Sequence, residues 1–240
     1  MALIDKEYTD HPFYGSRKMA KWLQAEGYQV NRKRVQRLMR QMGLAGICPK
    51  KNISKSTEEH KKYPYLLRGV EIEKCNQVWS SDITYIKVVG GFMYLTAVID
   101  WHSRYVLSWR LSNSLEGSFC IEAVEEALEK GIPDIFNTDQ GVQYTSEGFI
   151  ALIEGRGIKV SMDGKGRALD NIFIERLWRT VKYEEIYLKE YKDVRELRTN
   201  LQKYFQFYNR ERPHQSLNYE TPESVYRSSS LQTQKQIVNA

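Results

Sequence analysis

Three carboxylates occupy settings in which metal-assisted chemistry is possible. Glu175 lies in DNIFIERLWRTVK (residues 170–182), Asp82 in VWSSDITYI and Asp139 in IFNTDQGVQY. The first stretch reads as an amphipathic helix. At about 100° per residue, Phe173, Leu177 and Val181 stack on one side, while Asn171, Glu175, Arg179 and Lys182 fall within roughly 80° of one another on the other. Glu175 is thus one acid on a cationic stripe. The two aspartates sit in strand-like, turn-bounded runs, and all three acids are expected to converge on divalent metal. Mg²⁺, with Mn²⁺ as a substitute, takes oxygen ligands and keeps several waters, so one or two carboxylates per ion suffice and three acids can hold two ions. Such a pair supports an in-line displacement at phosphorus: one ion activates water or a 3′-hydroxyl, the other stabilises the departing oxygen. Without ions the clustered acids repel one another, and at least one pKa rises.

Elements must position these acids, and the charge distribution shows where a polyanion would bind. The chain of 240 residues has a net charge of +6. Residues 1–70 hold 15 Lys+Arg against 6 Asp+Glu, and residues 71–240 hold 21 against 24, so the excess is concentrated in front. Nucleic acid is the expected polyanion. Apolar runs such as FMYLTAVI are far shorter than a spanning helix, and the N-terminus lacks the plan of a signal peptide. A cytoplasmic protein without membrane contact is expected. Cys48, Cys75 and Cys120 are widely separated, and the four histidines show no ligand spacing, so neither disulfides nor zinc are indicated.

Residues 1–47 read as a small basic helical unit. Ser16 is expected to cap a helix carrying Met19, Trp22 and Leu23, Gly27 to break the chain, and Asn31 to cap a second helix that Gly43 ends. In that helix Val35, Leu38, Met39 and Met42 share one face and Lys33, Arg34, Arg37 and Arg40 the other, which makes the pair helix-turn-helix-like with those four cations as DNA contacts. Residues 48–76 lack periodicity and read as a basic linker. Three strands follow, Gln77–Val89, Phe92–Asp100 and Arg104–Leu111, then a helix Ser114–Lys130, a strand Asp134–Asn137, a helix Ser146–Glu154, a strand Ile158–Met162 and the helix of Glu175. That order is the order of a ribonuclease-H-like α/β fold, a mixed sheet flanked by helices, over 77–190. Residues 191–240 supply a helix at 193–210 and a tail packing on this core.

The acids, with 35 residues between Asp139 and Glu175, resemble the DDE triad of transposases and retroviral integrases. WSSDITYI, YLTAVIDWHSRYVLSW, TDQGVQYTS, DNIFIERLWRTVKYEEIY and YNRERPHQSLNYETPESVY together resemble the OrfB catalytic protein of the bacterial insertion-sequence family three. YGSRKMAKWLQAEGYQVNRKRVQRLMRQMGL is similar to that family's N-terminal helical segment. The resemblance implies Asp82, Asp139 and Glu175 as metal ligands. It also implies Lys182, seven residues after Glu175 and about 20° from it, as a basic group reaching the phosphate beside the scissile bond. Asn171 and Arg179 are expected DNA contacts on the same stripe. Asn137 is a departure, standing where the family commonly has histidine. The start is also expected to be short upstream of Tyr8, and a separate or fused partner protein that recognises the element ends is expected alongside this chain.

Other polar residues have structural readings. Asp100 is expected to serve the turn at Ser103 and Arg104, Asp170 to cap the Glu175 helix, and Trp79, Trp101, Trp109 and Trp178 to fill the core. Tyr144 is expected to pack, or to stack on DNA. The function that follows is DNA strand cleavage and strand transfer by a transposase that forms a homo-oligomer on DNA. The alternatives are a nuclease of the same fold that only hydrolyses and a catalytically silent DNA-binding derivative.

Overall fold

The structure, a computed structural model, describes residues 1–12, 14–46, 63–88, 91–164 and 171–229. It divides into two compact units, Met1–Lys55 and Ser56–Ala240.

The first unit is built from α1 (Ala2–Asp10), α2 (Ser16–Ala25) and α3 (Arg32–Gln41) around Ile4, Met19, Ala20, Leu23, Val35 and Met39. Asn31 caps α3 as expected, its side chain accepting from Arg34 N at 2.8 Å. Gly27 and Gly43 take positive φ at the breaks, which a Cβ would disfavour. Ser16 is not a cap. It is the first residue of α2, Gly15 holds the cap position, and no side chain bonds the free N–H groups there. Gly46 packs closely against this entry into α2, where a Cβ on it would lie 2.8 Å from Gly15 N.

The second unit is a five-stranded sheet in the order β3-β2-β1-β4-β5, from β1 (Val78–Val88), β2 (Gly91–Asp100), β3 (Val106–Ser112), β4 (Ile135–Thr138) and β5 (Lys159–Met162). β1, β2 and β3 form the antiparallel meander, while β4 runs parallel to β1 and β5 parallel to β4. Parallel neighbours need crossover helices, and α4 (Ser118–Leu128) and α5 (Glu147–Glu154) supply them. Successive strand residues point to opposite faces. On one face Trp79, Val98, Leu107 and Phe136 pack with α4 and α5. On the other, Val78, Leu95, Ile99 and Leu111 pack with α6 (Ile172–Glu184) and α7 (Val194–Arg210). This is the mixed, helix-flanked sheet of the ribonuclease-H-like fold.

The run from residue 63, expected as linker, lies against this unit. Tyr65, Leu67 and Ile72 join the α6/α7 side of the core, and Leu66 N donates to Ser161 Oγ at 3.1 Å. At the other end a short helix over 222–229 buries Tyr226, whose hydroxyl donates to Asn76 Oδ1 at 2.9 Å. No helix among the described residues is long and apolar enough to cross a membrane.

Candidate active site

Asp82 and Asp139 are brought side by side by the parallel pairing of β1 and β4. The register runs Val78 to Ile135, Trp79 to Phe136 and Ser80 to Asn137. Each aspartate stands two residues past the last pair, at one level on strands about 4.8 Å apart. Asp82 continues along β1, paired with Ala97 of β2, whereas Asp139 begins a turn. There its Oδ1 accepts from Gly141 N at 2.9 Å, and a Cβ on residue 141 would lie 2.8 Å from that oxygen, so glycine is required for the carboxylate to fold back.

The docking of α6 brings Glu175 within electrostatic range of Asp82. Trp178, one turn further along, donates its indole N–H to Asp82 Oδ2 at 3.0 Å. The site opens outward from the half-buried Asp82 to the exposed Asp139 and Glu175. Burial pushes the Asp82 carboxyl up to about 6, Asp139 and then Glu175 add to this by repulsion, and the N–H groups of Ile83 and Trp178 oppose it. The Asp139 carboxyl is raised too, chiefly by the protein around it although solvent reaches it, with Gly141 N–H in opposition. Among the described residues none of the three acids is ion-paired, and no three His, Cys, Asp or Glu side chains are gathered closely enough to hold a metal ion as they stand.

The other expected site residues divide. Lys182, half-buried, holds its Nζ 5.2 Å above the Tyr85 ring, and the exposed Arg179 lies 5.9 Å from the Tyr183 ring. Asn171 is not on the exposed stripe. It is buried, because as the N-cap (φ −132, ψ 36) it stands outside the helical geometry on which the stripe depends. Asp170, expected as that cap, lies outside the described residues. Lys33, Arg34, Arg37 and Arg40 are all exposed on α3 of the first unit.

The matches to known families follow the same division of the chain. The Integrase core domain family matches residues 73–168 and again, through a second model of that description, residues 156–222, while the HTH-like domain family matches residues 1–52. The chain is 34% identical over 214 residues to the putative transposase InsK for insertion sequence element IS150 of Escherichia coli, spanning 87% of this chain and 76% of that one. It is 31% identical over 225 residues to the transposase for insertion sequence element IS629 of Shigella sonnei, spanning 91% and 76%. The chain belongs to the insertion-sequence transposases. Its fold is shared with the catalytic core domain of BIV integrase, at a TM-score of 0.53 and 14% identity, over 66% of this chain and 98% of that one.

In this transposase α6 is anchored along its length by residues whose role no sequence pattern announces. Near its start, Phe173 packs 4.7 Å from Trp101 and carries the Arg104 guanidinium 3.7 Å above its ring. Midway, Trp178 holds Asp82. In the last turn Glu184 accepts from Arg212 Nε at 2.8 Å and Nη2 at 2.7 Å, and from the Tyr204 hydroxyl at 3.0 Å. Arg212 and Tyr204 thus clamp the helix that carries Glu175. Asn137 is structural as well. Its Nδ2 donates to Asp163 Oδ1 at 2.8 Å and its Oδ1 accepts from Ser161 Oγ at 2.9 Å, tying β4 to β5. Tyr144 packs. It is fully buried, with its hydroxyl 3.0 Å from Ser81 Oγ and 3.2 Å from Thr96 Oγ1. Asp100 serves the turn, accepting from Ser103 N at 2.7 Å, Ser103 Oγ at 2.6 Å and Asn76 N at 2.7 Å.

Proposed function

We propose that this transposase cuts DNA at the ends of an insertion sequence and joins the freed 3′-hydroxyl to target DNA, with Asp82, Asp139 and Glu175 as the ligands of two divalent ions, Mg²⁺ or Mn²⁺. The observation that carries this reading is the parallel register of β1 and β4, which sets Asp82 and Asp139 side by side. The Asp82 carboxyl, raised by burial and by two neighbouring acids, is balanced by no cation among the described residues.

This donor set fits a hard divalent cation. It is all oxygen, it opens to solvent, and a cage closed by protein alone is not required when waters and substrate phosphate complete the shell. Bound there, divalent ions supply charge to activate the attacking oxygen and to stabilise the leaving one. The chain's own groups do the rest. Trp178 fixes one oxygen of Asp82, Gly141 N–H fixes one of Asp139, and the clamp on Glu184 holds α6, so the acids meet the substrate preset. Lys182 balances charge on the phosphate beside the scissile bond. Arg179 extends that grip, and Lys33, Arg34, Arg37 and Arg40 hold DNA backbone through the helix-turn-helix-like unit. Action on nucleoid DNA in the bacterial cytoplasm, assembly of several protomers on the element ends, and a partner protein that recognises those ends complete the reading.

The test is a plasmid bearing the ends of the insertion sequence, incubated with the chain and Mg²⁺ and scored for cut and for joined strands. Joined product from the wild type and none from Glu175→Gln supports the reading. Cut product that is never joined makes the protein a hydrolytic nuclease, and no product from either removes the activity. Replacing Arg34, Arg37 and Arg40 together with alanine should flatten the salt dependence of binding by about 0.9 in slope per lost phosphate contact, and an unchanged slope would take α3 off the DNA.

A further inference from the structure

Two pairs of aromatic rings beside the active-site helix are turned out to solvent. Tyr85 and Phe92, at the β1–β2 hairpin, are 62% and 53% exposed and meet edge to face at 5.8 Å. Tyr183 and Tyr187, at and beyond the end of α6, are each 64% exposed and meet the same way at 5.4 Å. Single exposed aromatics are ordinary on protein surfaces. Here each pair also has a cation near one ring, Lys182 at Tyr85 and Arg179 at Tyr183.

Helix geometry links both pairs to Glu175. Glu175, Arg179 and Tyr183 recur every four residues, each step advancing about 40° around α6, so they form one ridge leading away from the site. Lys182 lies about 60° to the other side of Arg179 and carries the hairpin pair. Rings and cations thus straddle the Glu175 line of α6 about two turns, roughly 11 Å, beyond the glutamate. Exposed π faces beside cations complement nucleic acid, since phosphate pairs with the cation and a base stacks on the ring. A duplex keeps its base faces stacked inside, so only unpaired bases can use such rings.

We propose that these two ring pairs form a stacking surface for unpaired nucleotides next to the scissile phosphate, making a DNA end with a short unpaired stretch the preferred substrate class. This inference rests on the DNA-transfer reading of the same site. The rings hold the opened strand by π contact while the two cations hold its backbone.

The test measures binding by the full chain, in EDTA, to a duplex with a short unpaired extension and to the same duplex fully paired. The wild type should prefer the extended duplex and quench a 2-aminopurine placed in the extension. Tyr85→Ala with Phe92→Ala, or Tyr183→Ala with Tyr187→Ala, should each reduce that preference about tenfold and leave paired-duplex affinity unchanged. Phenylalanine at the three tyrosine positions should retain it, since stacking needs the ring and not the hydroxyl. Equal binding of both duplexes by the wild type, or a preference that survives all four alanines, overturns the inference. So does a loss that coincides with altered sedimentation of the DNA-free chain, which would make the rings a contact between copies. A chain that cuts and joins DNA without this preference sinks the stacking surface alone, whereas a chain that binds neither duplex sinks the DNA-transfer reading as well.

Discussion

Asp82 and Asp100 lie on adjacent strands of one sheet, and both carboxylates are withdrawn from bulk water, yet their surroundings are opposite. Asp100 is fully buried and accepts three hydrogen bonds, from Asn76 N, Ser103 N and Ser103 Oγ, at 2.6–2.7 Å. Asp82 accepts the Trp178 indole N–H and faces two further acids, and its carboxyl is pushed up to about 6. Burial does not separate a structural acid from a functional one; satisfaction does. A carboxylate saturated by local donors has no capacity left for a ligand, whereas one left short of positive charge has an electrostatic demand that only something brought from outside can meet.

Removing the demand should abolish function and spare the fold. Asp82→Asn, Asp139→Asn and Glu175→Gln are each expected to lower strand cleavage in Mg²⁺ on the order of a thousandfold or more, the equivalent of about 4 kcal/mol of transition-state stabilisation, while DNA binding by gel shift persists. Normal cleavage by any one takes that residue out of the site. Asp100→Ala should do the reverse. Leaving the two backbone N–H groups and the Ser103 hydroxyl without their acceptor should cost about 3 kcal/mol of stability by urea denaturation. A loss below roughly 1 kcal/mol would mean that the turn does not depend on its acid.

Asp82→Asn should also stabilise the metal-free chain. The folded carboxyl, at about 6, lies above the ordinary value of about 4, so the native state binds this proton more tightly than the unfolded chain. The cost of ionising it within the fold is therefore absent below about pH 4, grows as pH rises to about 6, and is fully present above that. At pH 8 in EDTA the substitution should add about 2 kcal/mol, after allowance for partial exposure, and the gain should vanish at the acid end of the window. A gain that persists there would place its origin outside this titration. Mg²⁺ should raise the melting temperature of the wild type and not that of the variant. The smallest effect is expected from Trp178→Phe. Loss of one hydrogen bond to the carboxylate, about 1 kcal/mol, should slow cleavage several-fold and move the acidic limb of its pH profile upward, a shift that a purely packing role would not produce.

The same contrast explains what could be read from the residues alone. The meander, the strand that delivers Asp139 and the helix of Glu175 are each written in local periodicity and turn chemistry, and Asn31 announces its cap by type and position. α1 is not visible that way, because its buried apolar contribution is Ile4 with little around it. Leu67 and Ile72 carry no periodic signal, since an extended run docks them singly. Ser16 has the composition of a cap and not its position, the chain entering α2 at Gly15 instead. Trp178 reads as core, and it is core; that its N–H also holds Asp82 is fixed only when α6 is laid against β1, a contact between residues 96 positions apart. Asn171 fails for a geometric reason, since a cap does not obey the 100° rule of the helix it begins.

Everything rests on whether Asp82 and Asp139 share metal with Glu175. A crystal structure of the chain grown with Mn²⁺, with the ions located by anomalous scattering, answers that. Mn²⁺ is expected in direct coordination by carboxylate oxygens of Asp82 and Asp139, with Glu175 completing the set and Asp100 bare. Manganese bound elsewhere, or three carboxylates that remain apart with no ion between them at saturating Mn²⁺, would contradict it.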